Sequence, residues 1–231
     1  CCIMEVVDIL RETLKKNGFP EDLISCISVP TMEATDALMK HQDVSLILAT
    51  GGSAMVRAAY SSGTPALGVG PGNVPAFIEK TADIKMAVSR IIAGKIFDNG
   101  VICASEQAVV VEREIYKEVK KEFINQGCYF VNEEEKLKME KIIDTPYGSL
   151  NAKIVGKTAS QLADMAKIEV PENTKIIIAE ETGVGKGYPF SREKLSPILA
   201  FYVEDDWKKG CDKCIELLDY GGMGHTLGIH S

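Results

Sequence analysis

The chain has 231 residues, 45% of them hydrophobic and 26% charged, with a mean hydropathy of +0.02, as in a soluble globular protein able to bury a core in one large domain or two small ones. Its formal charge of -7 and pI near 5.2 exclude a general binder of nucleic-acid backbone, which carries a basic surplus, while leaving room for a local basic pocket for a phosphorylated cofactor. No apolar run approaches the ~18 residues of a membrane span and no signal peptide is visible, so neither a membrane nor a nucleic acid is an expected partner.

The chain opens on Cys1-Cys2-Ile3 without an initiator Met and stops at "GIHS", so it is expected to be a piece of a longer protein. Ile3, Val6, Val7, Leu10 and Leu14 share one face of a helix that Gly18 and Pro20 stop. "LISCISVP" reads as a short strand, and "TMEATDALMKHQ" as a helix with Thr31 at its N-cap. "VSLILAT" is a continuous apolar run, the pattern of a parallel strand covered on both faces. It turns through "GGSAMVRAAYSSG" into a helix, and "PALGVG" is another short strand. This alternation predicts a doubly wound α/β arrangement with a parallel sheet over roughly the first seventy residues.

"PGNVPAF", Pro71 to Phe77, breaks the rhythm with two prolines and a glycine, and places a boundary between domains 1–73 and 74–231. Helix "DIKMAVSRIIAGKIF" then leads into a turn and strand "QAVVVE". Helix "REIYKEVKKEFINQG", strand "CYFV" and helix "EEEKLKMEKIID" follow, the last with both charge signs at helical spacing, as on a solvated face. Strands "KIIIAEE" and "PILAFYVE", a helix over Asp205–Tyr220 and the strand-like "HTLGIH" complete an α/β pattern.

Five stretches carry residues suited to chemistry. The run into Thr50-Gly51-Gly52-Ser53 joins a strand to a helix; glycines there let the backbone approach a ligand and the helix start offers free N–H groups. A plain strand–helix turn fits equally, and no G-x-G-x-x-G fingerprint is present. "GVGPGN", which contains Gly70, is a second glycine cluster, suited to the floor of a cleft or to a hinge. Cys103 follows the turn-prone Asp98-Asn99-Gly100 and precedes a strand; an accessible thiolate there suits a nucleophile, with nearby backbone N–H groups to hold an oxyanion. Simple packing of a small residue remains open at that point. Glu193, in "FSREKLSPIL", precedes a buried-looking strand and is either a partner for a sugar hydroxyl or a surface carboxylate.

The fifth stretch is "YGGMGHTLGIHS", in which Gly221, Gly222 and Gly224 spare room around His225 for an imidazole that meets a substrate. His41 reads as an exposed helix-end residue and His230 as a structural strand residue. The seven cysteines are odd in number and scattered, the usage of reduced thiols in a cytosolic protein. Cys211 and Cys214 form one C-x-x-C with no second ligand pair, so no metal site is expected.

Taken in order, "ATGGSAMVRAAYSSG", "GVGPGN", "FDNGVICASEQ", "REKLSP" and "GGMGHTLGIHS" resemble the CoA-acylating branch of the aldehyde dehydrogenase superfamily. They are similar to the aldehyde dehydrogenase half of bifunctional aldehyde–alcohol dehydrogenases and to CoA-dependent succinate-semialdehyde dehydrogenases. The resemblance spans essentially the whole chain. It implies an aldehyde dehydrogenase-like α/β fold, with part of a parallel-sheet nucleotide-binding domain followed by part of an α/β catalytic domain. It further implies NAD as cofactor, coenzyme A as co-substrate, and a small aldehyde and its acyl-CoA as the interconverted pair. A cytoplasmic, fermentative enzyme is implied, homo-oligomeric at full length, with fusion to an alcohol dehydrogenase domain as one arrangement.

By the same resemblance, Cys103 matches the nucleophile, and Gly52 and Gly70 match glycines lining the NAD site, with Gly51 adjacent. Glu193 matches the glutamate that binds the nicotinamide ribose, and His225 a histidine with a catalytic role in this branch. Hydrolytic members carry a glutamate base in a Glu-Leu-Gly-Gly motif, whereas the equivalent "LGVGPGN" has no carboxylate. Attack of water on a thioester needs that base, while a CoA thiol is more acidic and more nucleophilic, so the departure favours CoA as acceptor. The upstream nucleotide-binding half, an oxyanion-hole asparagine and the closing C-terminal strands are expected outside these residues.

Overall fold

Residues 2–221 and 223–231 are described by the computed structural model; Cys1 and Gly222, one of the glycines noted beside His225, lie outside them. Two units divide the chain, Cys1–Val69 and Gly70–Ser231.

In the first unit, α1 (Cys2–Lys16) buries none of its residues. The strand expected at "LISCISVP" does not form: a short 3-10 turn, Glu21–Leu23, runs into irregular backbone. Its brief apolar run has no neighbouring strand to satisfy its N–H and C=O groups, and an unpaired strand gains nothing. Helix α2 (Met32–Met39) starts as expected, with Thr31 Oγ1 accepting from Ala34 N at 3.1 Å. Strand β1 (Ile47–Thr50), helix α3 (Ser53–Tyr60) and strand β2 (Ala66–Val69) form a parallel crossover in which Ile47 faces Ala66 and Thr50 faces Val69. The sheet of this unit is therefore two-stranded, not the predicted βαβαβ. Nor is β1 covered on both faces: Leu48 is 73% exposed, while Ala49 is buried.

The second unit is a six-stranded, wholly parallel sheet in the order β5-β6-β7-β4-β3-β8. Its strands are β3 (Val74–Ile78), β4 (Glu106–Glu112), β5 (Cys128–Phe130), β6 (Ile176–Glu180), β7 (Ile198–Glu204) and β8 (Gly228–His230). Helices α4 (Ile84–Ile96) and α5 (Tyr116–Asn125) cover one face. Helices α6 (Glu133–Ile143), α7 (Ala159–Ala166) and α8 (Trp207–Gly221) cover the other. Side chains alternate across the sheet. Val109, Val111, Leu199 and Phe201 meet Val88, Ile91, Val119 and Phe123 on the α4–α5 side. Ala108, Val110, Ala200 and Tyr202 meet Met139, Leu162 and Leu217 on the other. Burial on both faces is why these strands read as unbroken apolar runs.

Strand β3 overlaps the stretch whose prolines suggest a break, yet all five of its residues are buried. Pro75 is accommodated because the β3–β4 register shifts between Val74 and Pro75, so the N–H that proline lacks falls at a bulge. Helix α7, unanticipated in the sequence reading, is set by a capping box between Thr158 and Gln161. No helix among the described residues is long and apolar enough to cross a membrane.

Candidate active site

Strands β7, β4, β3 and β8 lie side by side and point the same way, so their amino ends form one rim. The segments entering those four ends carry Glu193, Cys103, Gly72 and His225 respectively. Residues far apart in sequence thus arrive together because of strand order alone.

The cysteine turn begins where α4 ends. Asp98, Asn99 and Gly100 adopt φ values of 48°, 51° and 73° in succession. This left-handed backbone is free only to glycine and tolerated next best by asparagine and aspartate, which explains the Asp-Asn-Gly sequence. Asn99 Nδ2 donates to Gly156 O at 3.1 Å, tying the turn to the segment before α7. Ser105 N donates to Ile102 O at 2.9 Å, closing a second turn around a half-buried Cys103.

Gly72 is the meeting point. Its N–H donates to Glu193 Oε1 at 3.1 Å. A Cβ built on it would lie 2.3 Å from the Cys103 carbonyl oxygen and 3.1 Å from His225 Cδ2. The backbone of Cys103, the imidazole and the carboxylate therefore share one glycine-sized space. In the sequence Gly72 stood out only as part of a glycine cluster. The neighbouring Asn73 is buried and its Nδ2 donates to Ser191 O and Leu217 O, each at 2.8 Å, pinning the end of α8 from which the His225 loop departs.

His225 Nδ1 is buried without a hydrogen-bond partner among the described residues. A buried nitrogen left unpaired carries its full desolvation penalty, so this atom is suited to a bound group or a proton in transit. Burial raises the pKa of Glu193, opposed first by the Gly72 N–H and then by His225, Lys95 and Lys194. Among the described residues, Gly72 provides the one hydrogen bond to that carboxylate, which leaves acceptor capacity for sugar hydroxyls. A Cβ on Gly70 would meet nothing within 4 Å, so this strand-end is open to a ligand. The residues present fit a nicotinamide nucleotide on these grounds.

In the first unit, Gly52 caps the start of α3 and likewise has open space where its Cβ would be. Gly51 donates to Val69 O at 3.2 Å, and its missing Cβ would press on the flexible Met55 thioether. Of the remaining candidates, Cys214 packs in the core, where burial pushes its thiol up to about 12. His41 is exposed beside Asp43, and His230 pairs with Ile78 across β8 and β3. Among the described residues no group of three or more His, Cys, Asp or Glu could hold a metal ion.

Sequence reading missed a buried polar set behind the rim. Lys95, Gln107 and Lys194 are all fully buried. Lys194 Nζ donates to Gln107 O at 3.0 Å, Phe190 O at 2.6 Å and Arg192 O at 2.7 Å. Lys95 Nζ donates to Gln107 Oε1 at 3.3 Å. Burial lowers Lys95 to about 7 against the pull of Glu106 and Glu193. The signal that exposes Lys95 is its spacing: it stands four residues after Ile91 and seven after Val88, on the apolar stripe of α4.

The sequence profile of the aldehyde dehydrogenase family matches residues 3–190. The aldehyde-alcohol dehydrogenase of Clostridium acetobutylicum is 49% identical over 216 residues, which cover 94% of this chain and 25% of that protein. The crystal structure of an acetylating aldehyde dehydrogenase from Geobacillus thermoglucosidasius superposes with a TM-score of 0.96 at 54% identity, over 98% of this chain and 50% of that one. Rhodopseudomonas palustris propionaldehyde dehydrogenase, solved with bound CoA and an acylated cysteine, superposes with a TM-score of 0.87 at 31% identity, over 96% of this chain and 50% of that one. The chain thus spans about a quarter of the curated relative and about half of the solved ones. With most of its length matched, the chain belongs to the aldehyde dehydrogenase family.

Proposed function

We propose that the protein is a CoA-acylating aldehyde dehydrogenase that interconverts a small, acetaldehyde-like aldehyde and its acyl-CoA with NAD(H). The observation that carries this reading is the convergence of Cys103, His225 and Glu193 on Gly72. Cys103 Sγ, as thiolate, bonds to the aldehyde carbonyl carbon and leaves negative charge on the oxygen. Bound nicotinamide nucleotide supplies the hydride acceptor. Cys103 then holds the acyl group as a thioester until the CoA sulfur bonds to the carbonyl carbon and the bond to Cys103 Sγ breaks. His225, with its unpartnered Nδ1, is assigned the thiol proton, from Cys103 or from CoA. Glu193 is assigned the nicotinamide ribose; Gly70, and Gly52 with its neighbour Gly51, are each assigned to the nucleotide.

Two findings support CoA rather than water as acceptor. The solved propionaldehyde dehydrogenase that resembles this chain holds CoA and an acylated cysteine. The "LGVGPGN" stretch, where hydrolytic members place their glutamate base, has no carboxylate. Relatives that are aldehyde-alcohol dehydrogenases support a full-length protein fused to an alcohol dehydrogenase domain. A homo-oligomeric, cytoplasmic enzyme follows from the same reading.

The test is Cys103→Ala in the full-length protein, assayed by NADH oxidation with acetyl-CoA. A fall of at least about 10³-fold is expected, as for loss of a covalent nucleophile. A rate equal to wild type rejects the mechanism. Formation of free acid in place of acyl-CoA, measured with and without CoA, rejects the acylating assignment.

A further inference from the structure

We propose that Gln107 is a positioning residue that locks the Cys103 turn to the Glu193 loop, so that nucleophile and nucleotide-holding carboxylate keep one fixed separation. The inference rests on the roles given above to Cys103 and Glu193.

Gln107 is the second residue of β4 and is fully buried. Across the β3–β4 ladder Val74 faces Glu106 and Pro75 faces Ala108, which leaves Gln107 as the extra residue of the bulge. A bulge re-aims the side chain of its extra residue, and bulges in parallel sheets are rare. Here the released side chain serves both loops. Its Nε2 donates to Ser105 O at 3.2 Å, holding the end of the cysteine turn. Its Oε1 accepts from Lys194 N at 3.0 Å, holding the residue after Glu193, and from Lys95 Nζ at 3.3 Å. Its carbonyl oxygen accepts from Lys194 Nζ, whose other two N–H groups reach Phe190 O and Arg192 O within the Glu193 loop itself. Three carbonyls around one nitrogen match the three donors of an ammonium. Among the described residues, the Gln107 amide both donates toward the cysteine turn and accepts from the glutamate loop.

That asymmetry gives the test. Gln107→Glu keeps the acceptors for Lys194 N and Lys95 Nζ but cannot donate to Ser105 O as a carboxylate. Gln107→Met fills the space and keeps neither side. Both variants are made in the full-length protein, with thermal unfolding to verify folding and steady-state kinetics in NADH and acetyl-CoA. For Gln107→Glu, KM for NADH is expected within about 2-fold of wild type while kcat falls by about 10-fold or more, the size of effect of a slightly misplaced reacting group. For Gln107→Met, kcat falls and KM for NADH rises together. A purely structural role predicts the same change in both parameters for both variants, and that result overturns the proposal, as does wild-type kinetics in either. If Gln107→Met does not fold, the split in Gln107→Glu decides alone. Failure here is distinct from failure of the site itself: an active Cys103→Ala rejects the site, whereas an inactive Cys103→Ala beside Gln107 variants of wild-type kinetics rejects only the coupling.

Discussion

A methyl group added at Gly72 would stand 2.3 Å from the Cys103 carbonyl oxygen, inside any tolerable separation. The contact is with backbone, so no rotamer change relieves it; the cysteine turn or the start of β3 must shift. Gly72→Ala is therefore expected to lower kcat by about 100-fold, the penalty of moving a reacting group by about 1 Å. NADH-linked acyl-CoA reduction by the full-length variant measures this, and an unchanged kcat would show that the turn yields without consequence. At this scale local composition singled out His225, enclosed by glycines, but left packing open for Cys103 and a surface carboxylate open for Glu193; their proposed roles came from the family resemblance. The sequence was silent on Gln107 and Lys194. Their burial depends on carbonyl groups and a ladder bulge supplied by segments distant in the chain, and a lone glutamine or lysine reads as solvent-exposed until those partners are known.

Helix α4 joins the core to the cysteine turn, and it does so with a buried lysine. Burial holds Lys95 at about 7 in the folded chain against an ordinary 10.5. Between these values the unfolded chain binds a proton that the folded chain releases, so this group makes stability rise with pH through that window and penalises the fold below it. Lys95→Met removes the penalty and its pH dependence. Its thermal midpoint is expected to vary less steeply than that of wild type from pH 7 to about 10. Equal slopes in the two proteins would mean that Lys95 stays charged when buried. Among the elements of the second unit, strands buried on both faces and helices with apolar stripes were legible because pattern and burial coincide; in the first unit α1 and β1 have the pattern without the burial. Strand β3 was not legible, because Pro75 announces a break and the compensating register shift is a property of the β3–β4 pair. The false strand at "LISCISVP" failed in the opposite sense, having the pattern without a partner.

The two units differ in what they bury. Of the apolar side chains in the first, Ala49 and Ala59 are fully enclosed among the described residues, while Leu48, Leu67 and Met32 face outward. The second encloses two apolar layers, one on each face of its sheet. Amide hydrogen exchange of the 231-residue chain is therefore expected to be fast throughout 2–69 and slow in β4, β6 and β7, since protection follows buried apolar area. Comparable protection in β1 and β4 would contradict this. The α/β class was legible from alternation, but the strand order was not. Neighbours such as β7 and β4 are separated by two other strands in the chain, and which parallel strand lies beside which is decided by packing of both layers.

That order has a consequence for how the molecule can change. Every residue assigned to chemistry in the second unit sits at the amino rim, where four segments brace one another and a change in one must be answered by another. Strand β4 has seven residues, so the opposite rim is about 20 Å away. There Arg113, Tyr116, Thr182 and Glu204 border a cavity of about 550 Å³; the segment leaving β6 runs on into the Glu193 loop, with Gly185 N donating to Ser191 Oγ at 3.0 Å, whereas the turns leaving β4 and β7 carry none of the residues that brace the amino rim. Those two turns are where lineages can diverge, and where a designer can attach a reporter or graft a binding loop, with the reaction insulated by the length of a strand.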